Sequence, residues 1–377
     1  MFIGLNLVFL TPGRSGGMEI YARELIPELV AAAPEHRFVA FVSREAAAVA
    51  GPWNELIDAV TVPVRAENRV QWVRGEQQLL PGLARRAGIE LLHSFANTAP
   101  LWGGFRRVVT IHDLSYQVVP DAHPGARGRG MRILVPLAAR RSHRVITDSL
   151  STRDDLARLA GTPPSRVDVV PLGVGTVART APLGETALRA RLRAAERPLV
   201  LSVSAKLPHK NLPRLIGALA SMPAGERPLL VLPGYGTPHE AELREQAARL
   251  GVADDVRFLG WVDDEELEGL YAAATCVVFP SLYEGFGLPI LEAMARGVPV
   301  ACSARGSLGE VAGDAALLFE PESESAIAAA MTRLLTDPAQ RDRLIASGRA
   351  QAKRFSWAAT AAGTLESYQA AIRPAAV

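Results

Sequence analysis

A chain of 377 residues exceeds what one compact core usually holds and suits two α/β domains of roughly 100 to 200 residues each. Its 49% hydrophobic and 21% charged content is that of a folded globular protein, and no apolar run approaches the ~18 residues a membrane-spanning helix needs. A net charge of +2 excludes the strongly basic balance of most nucleic-acid binders, so no nucleic-acid partner is expected.

In chain order, the opening Met1–Leu10 carries no basic leader or cleavage site and reads as a first strand, so a cytoplasmic location is expected. Short β-branched runs then alternate with longer Ala/Leu/Arg-rich stretches of helical period, the rhythm of βαβ units with parallel sheets. Strands are expected at Ile3–Leu10, Phe38–Val42, Leu91–Ser94, Arg107–Ile111, Arg144–Thr147 and Val167–Pro171, with helices near Met18–Ala32, Gln71–Ala87 and Ser151–Leu159. The poorly periodic stretch from Pro171 to Arg197 suits a linker with a lead-in helix, which places the first domain at 1–175. A second domain at 176–355 restarts with strands at Pro198–Ser204, Pro228–Leu232, Val256–Leu259, Cys276–Phe279, Val298–Cys302 and Ala316–Phe319. Asp263 with Glu266 reads as a capping box for a helix to Ala274, and Phe355-Ser356-Trp357 opens a last amphipathic helix, 356–374. Cys276 and Cys302 lie in or beside strand-like runs and read as buried apolar groups.

Chemistry concentrates in Glu284-Gly285-Phe286-Gly287-Leu288-Pro289-Ile290-Leu291-Glu292. A strand ends at Pro280, glycines follow, and Pro289 stands where a first helical turn begins, so the backbone there can receive a phosphate against a helix N-terminus. Glu292 would fall within that first turn, able to accept ribose hydroxyls, and Glu284 on the loop before it; a tight turn with two solvated acids is the competing reading. Lys210, in Ala205-Lys206-Leu207-Pro208-His209-Lys210-Asn211 between a strand and a helix, could neutralise a departing pyrophosphate or be an ordinary surface lysine. Thr11 to Gly17, with Gly16-Gly17, could admit phosphates or an acceptor to a second helix start. His112-Asp113 follows a strand at the carboxyl edge of its sheet, where open α/β sheets collect ligands; a satisfied structural histidine competes with that reading. The run Arg127, Arg129, Arg132, Arg140, Arg141 and Arg144, interleaved with apolar residues, could rest on an anionic membrane or face solvent.

Taken together, Glu284-x7-Glu292, Gly16-Gly17, His112-Asp113-Leu114, Pro208-His209-Lys210-Asn211, Phe258-Leu259-Gly260-Trp261-Val262 and Phe355-Ser356-Trp357 resemble the retaining glycosyltransferase family 4. The resemblance runs in order along essentially the whole chain. It implies a GT-B fold, two Rossmann-like domains across a cleft, with the last helix crossing back to the N-terminal, acceptor-binding domain. By the same resemblance the C-terminal domain holds the nucleotide sugar, with Lys210 on the diphosphate, Glu292 on the ribose, and Glu284, Gly285 and the amides of Phe286, Gly287 and Leu288 on the sugar and its phosphate. Gly234, Gly236 and Val262 would flank the base, Gly16 and Gly17 would close over the phosphates, and His112 with Asp113 would meet the acceptor. Many relatives have an arginine where Ala205 stands, and Lys206 is the expected substitute. The implied reaction is hexose transfer, mannose ahead, from a GDP- or UDP-sugar to a glycan or lipid-linked acceptor by metal-free front-face displacement, without a cofactor. The chain has no Asp-x-Asp. A nucleotide-sugar epimerase and a non-catalytic nucleotide-sugar binder are the alternatives; a dehydrogenase fits poorly because Pro171-Leu172-Gly173-Val174-Gly175 opens no helix.

Overall fold

The computed structural model describes residues 1–120, 125–175 and 180–373; the side chains of Ala126 and Arg127 lie outside this description. The described chain divides into two compact units, one formed by 1–117, 125–173 and 355–373, the other by 118–120, 174–175 and 180–354. The expected boundary at 175/176 touches 176–179, and the expected last residue of the final helix is 374, both outside the described residues.

The first unit is a seven-stranded parallel sheet ordered β3-β2-β1-β4-β5-β6-β7. Its strands are β1 (Phe2–Leu7), β2 (Arg37–Val42), β3 (Asp58–Thr61), β4 (Leu91–Ser94), β5 (Arg106–Thr110), β6 (Arg144–Thr147) and β7 (Val167–Val169). The central strands are buried on both faces, which is why they read as continuous apolar runs. β3 was not foreseen: Asp58-Ala59-Val60-Thr61 is a mostly exposed edge strand with little apolar signal. The helix Gly17–Ala32 buries Tyr21, Ala22, Leu25, Ile26 and Leu29, one helical stripe, despite Pro27 within it. The expected helix Gln71–Ala87 is instead Arg69–Arg74, a π turn Gly75–Leu79, and Leu80–Ala87.

The second unit is a six-stranded parallel sheet ordered β10-β9-β8-β11-β12-β13. Here the strands are β8 (Leu199–Leu201), β9 (Leu229–Leu232), β10 (Val256–Phe258), β11 (Cys276–Phe279), β12 (Val300–Ser303) and β13 (Ala316–Phe319). One face packs Leu215, Ile216, Leu219, Ile327 and Met331 from two helices onto Val200, Leu230 and Val278. Both cysteines are free and fully buried, and burial pushes each thiol up to about 12. Asp263 caps the helix Asp264–Ala273 through the Glu266 amide at 2.8 Å, while the Glu266 side chain pairs with Arg191 at 3.0 Å.

The helix Trp357–Ile372 belongs to the first unit, where it packs on the helix Gly17–Ala32 and on β5 and β6. Thr360 donates to the Pro171 carbonyl at 2.8 Å, and the Tyr368 hydroxyl meets His93 Nδ1 at 2.7 Å. His93 Nε2 meets the Thr110 hydroxyl at 2.7 Å, and that hydroxyl also meets Tyr21 at 3.1 Å. This buried chain of hydroxyls and one imidazole joins two helices to β4 and β5.

Burial drives the His93 imidazole down to about 3. An unfolded chain takes that proton near pH 6.5, so between 6.5 and 3 the unfolded state binds more protons and stability falls as pH falls. Glu76 acts oppositely: burial raises it from 4.5 to about 7, so it costs stability as pH rises through that window. Below pH 4.5 only His93 of this pair contributes to the slope. We expect His93→Gln to flatten the acid loss of stability between pH 4.5 and 3 by up to about 1.4 kcal/mol per pH unit, read from urea melts; an unchanged slope would locate the acid sensitivity elsewhere.

Candidate functional site

In the second sheet the strand order reverses between β8 and β11, which pair through Val200–Cys276 and Leu201–Val277. Ligands of open α/β sheets gather outside the carboxyl ends at such a point. The segment after β8 makes a 3-10 turn, Pro208–Lys210, and the segment after β11 leads to the helix Leu288–Ala295. Asn211 stitches them: in a left-handed conformation (φ 59°), it donates Nδ2 to the carbonyls of Pro280 (3.0 Å) and Pro321 (2.7 Å), while Leu282 N donates to the His209 carbonyl at 2.8 Å. Lys210 Nζ thereby comes 2.6 Å from Glu284 Oε1 and 5.5 Å from the Phe279 ring centroid, with side chains only 16% and 13% exposed.

The loop carrying Glu284 is fixed from the far side by Ser307, whose hydroxyl donates to the carbonyls of Glu284 (3.0 Å) and Phe286 (2.8 Å). Gly287 sits at φ 112° as the N-cap, and a Cβ there would meet Leu308 Cδ2 at 2.6 Å, so the position demands glycine on both counts. Its N-cap makes no side-chain hydrogen bond, so the positive end of the helix is left at the end of the loop that carries Glu284. Leu288 rather than Pro289 opens the helix, so Glu292 is its fifth residue, one residue further in than expected and just past the first turn. Its Oε2 accepts from the Tyr271 hydroxyl at 3.1 Å, and burial raises its carboxyl pKa against the opposing pull of Arg296 and Tyr271. Ser307 and Tyr271 carry no signal in the sequence, and Asn211 appears there only as part of a motif without a role, because each acts through a partner distant along the chain.

Further along the same edge, Gly234 follows β9 at φ 126°, and a Cβ would lie 2.2 Å from the Ser204 carbonyl oxygen. Gly234 N donates to the Gly260 carbonyl at 3.0 Å, which ties this loop to the one after β10 that carries Val262. Gly236 is exposed, two residues on. Lys206 does not supply the expected second phosphate cation. Its side chain is fully buried and its ammonium donates to the carbonyls of Gly234 and Leu259, so it staples the two loops from beneath. Burial lowers it to about 8; the nearby Glu240 carboxylate opposes that shift and the Arg244 guanidinium adds to it.

The remaining expected residues lie in the first unit. Gly16 caps and Gly17 opens the helix Gly17–Ala32, and the preceding loop is closed on itself: Thr11 N donates to Ser15 Oγ (2.8 Å) and Gly13 N to Glu19 Oε2 (2.7 Å). Tyr21, one turn into that helix, meets the His112 ring edge-on at 4.9 Å. His112 Nδ1 lies 2.7 Å from Asp148 Oδ2 and Nε2 lies 2.9 Å from the Phe95 carbonyl, so both nitrogens are engaged and neither is open to take a proton from an acceptor. Burial would lower this imidazole, but the Asp148 carboxylate and the Phe95 carbonyl outweigh it and the net shift is upward. Asp113 Oδ1 accepts from the amide (2.8 Å) and hydroxyl (2.7 Å) of Ser115.

The first sheet also reverses, between β1 and β4, where the sequence points to the Gly16-Gly17 loop after β1 but not to Glu76. Glu76, buried on the π turn, accepts from Asn6 Nδ2, Thr98 Oγ1 and Gln77 Nε2, each at 3.0 Å. The arginine run is not one face. Arg129, Arg132, Arg140 and Arg141 are exposed on the helix Gly125–Arg141 beside Ile133, whereas Arg144 lies in β6 and pairs with Asp168 at 2.9 Å. Among the described residues, no group of three or more His, Cys, Asp or Glu side chains is placed to hold a metal ion.

Residues 185–351 match the family described as "Glycosyl transferases group 1", and residues 15–177 match "Glycosyltransferase Family 4". The chain is 36% identical over 269 residues to O-antigen chain mannosyltransferase B of Escherichia coli, covering 70% of each. It is 34% identical to D-inositol 3-phosphate glycosyltransferase of Frankia alni over 81% of this chain and 74% of that one. Among solved structures, sucrose-phosphate synthase of Thermosynechococcus elongatus superposes with a TM-score of 0.79 at 26% identity, over 98% of both chains. With both halves matched and two parallel Rossmann-like sheets in order, the chain belongs to glycosyltransferase family 4 and is a glycosyltransferase of GT-B fold.

Proposed function

We propose that the protein is a retaining hexosyltransferase, drawing its sugar from a nucleoside diphosphate donor and passing it to a hydroxyl of a glycan or lipid-linked glycan. The observation that carries this reading is Lys210 Nζ, 2.6 Å from Glu284 beside the uncapped start of the helix Leu288–Ala295. A cation, a carboxylate and a helix N-terminus on one sheet edge match the three needs of a sugar diphosphate: charge on the phosphates, a hydrogen-bond acceptor for sugar hydroxyls, and backbone donors. The likeness to a mannosyltransferase supports mannose as the transferred hexose.

In the proposed step, the bond from the anomeric carbon to the donor phosphate oxygen breaks. The acceptor oxygen bonds to that carbon on the same face, and its proton passes to the departing phosphate. Lys210 would leave Glu284 to meet the charge growing on the phosphate, and Glu284 would turn to the sugar hydroxyls. His112, with both nitrogens held, would contribute positive charge and shape at the acceptor side and not a proton acceptor. Gly16, Gly17 and Asp113 are assigned to phosphate closure and acceptor contact, and Gly234, Gly236 and Val262 to the base.

We expect Lys210→Ala to lower kcat/KM for sugar transfer about 100-fold or more while circular dichroism stays that of the folded protein; undiminished transfer would end the reading. Because the phosphate itself is the base, no metal is assigned to the reaction. Turnover should therefore persist in excess EDTA, and activity that vanishes with chelator and returns only with a divalent ion would refute this.

No helix among the described residues is long and apolar enough to cross a membrane. We place the enzyme in the cytoplasm, with peripheral contact to anionic lipid through Arg129, Arg132, Arg140 and Arg141. Co-sedimentation with anionic vesicles should fall as salt rises, and binding indifferent to lipid charge would count against that contact.

A further inference from the structure

Trp261 is 64% exposed at the carboxyl edge of the second sheet, among the largest apolar side chains left open to solvent. One face of its indole is covered by Tyr235, with centroids 4.8 Å apart and planes 21° apart. Tyr235 comes from the loop after β9 and Trp261 from the loop after β10. Such a pair would ordinarily be mobile on two surface loops. Here the loops are cross-linked at their roots: Lys206 N donates to the Tyr235 carbonyl at 3.2 Å, Gly234 N to the Gly260 carbonyl at 3.0 Å, and the Lys206 ammonium to the Gly234 and Leu259 carbonyls. The Thr237 hydroxyl closes the set on the Lys206 carbonyl. A buried ammonium is an expensive way to hold two loops together, and what it holds in place is the aromatic pair.

The pair is also well placed. β10 lies two strands from β8, a spacing of about 10 Å along the edge that bears Lys210, a gap of the order a ribose and its attached base bridge. We infer that the Tyr235–Trp261 stack is a preset platform for the donor's nucleobase, and that it makes the enzyme select a purine nucleoside diphosphate over a pyrimidine one. This rests on the donor reading above and adds to it the residues that choose the base. A flat indole with one open face offers stacking to every base, and the fused purine rings cover more of it than a single pyrimidine ring. Because the platform is rigid before the ligand arrives, little ordering cost is set against that gain. In this arrangement Lys206 is a positioning residue, acting on the base only through the loops it joins.

The test is calorimetric titration of the full chain with GDP, ADP, UDP and CDP. The purine diphosphates should bind about tenfold tighter than the pyrimidine ones. Trp261→Ala should erase that ratio by weakening the purines, and Trp261→Phe should keep most of it. Lys206→Met should shrink the ratio while leaving the affinity for inorganic pyrophosphate, a readout that a general loss of stability would not separate. Equal affinity for the two base classes in the unaltered enzyme, or a ratio that survives Trp261→Ala, would overturn the inference while the donor site stands. Should none of the four bind, or should Lys210→Ala fail to weaken those that do, the donor reading itself falls and takes the inference with it.

Discussion

The ion pair between Lys210 and Glu284 is the contact on which the proposed donor chemistry rests, and it exists because two loops from adjacent strands are made to converge. β8 and β11 are neighbours only because the sheet reverses its order there, so the segments leaving them diverge to opposite sides of the sheet. Asn211 counteracts that divergence by holding Pro280 and Pro321 from one side chain, and Ser307 holds the Glu284 loop from the other. The pair is charge-assisted and only partly solvated, which makes it stronger than a surface pair and costly to leave half-made. In the proposed reaction a donor phosphate would exchange one anion for another beside the same ammonium, which Glu284 otherwise keeps oriented and compensated.

The first unit handles ionisable groups differently. His93, Asp148 and Glu76 are buried and His112 is largely so, and each is anchored by hydrogen bonds to neighbouring strands or helices. Two of them stand out in opposite directions: His93 is held neutral and Glu76 holds its proton to about 7, both by burial. His112 escapes the same fate chiefly through Asp148, whose second oxygen, Oδ1, is buried without a hydrogen-bond partner, and with a further contribution from the Phe95 carbonyl. These groups fix the geometry at the carboxyl ends of β1, β4 and β5, and they do so at an electrostatic cost that a purely apolar packing would avoid.

Much of the fold was legible because parallel strands buried on both faces leave unbroken apolar runs, as at Leu91–Ser94 and Cys276–Phe279, and because the helices between them keep one apolar stripe. β3 was invisible since an edge strand needs little apolar content, and the π turn at Gly75–Leu79 was invisible since Glu76, Gln77, Gln78 and Leu79 are ordinary helix formers that continue a helical pattern. Of the site, Lys210, Glu284 and Gly287 could be picked out because their chemistry is local: a turn, a loop and a helix start. Lys206 misled for an instructive reason. A lysine beside a presumed phosphate loop reads as a ligand contact, and only the register of the loops after β9 and β10 reveals two carbonyls waiting beneath it. Ser307 carries no signature, and Asn211 stands in a recognisable motif whose wording hides its role, since the targets of both are backbone carbonyls.

The helix Trp357–Ile372 is inserted into the first unit from the far end of the chain, after the whole second unit has intervened. On the ribosome, where chains lengthen by about 5–20 residues per second, that separation means roughly 10 to 40 seconds between completion of the seven strands and arrival of Tyr368 at His93. Over that interval the groove beside the helix Gly17–Ala32 lies open and the imidazole lacks its hydroxyl partner. The N-terminal half therefore matures last although it is made first, and its nascent form presents an apolar groove to chaperones or to neighbouring chains.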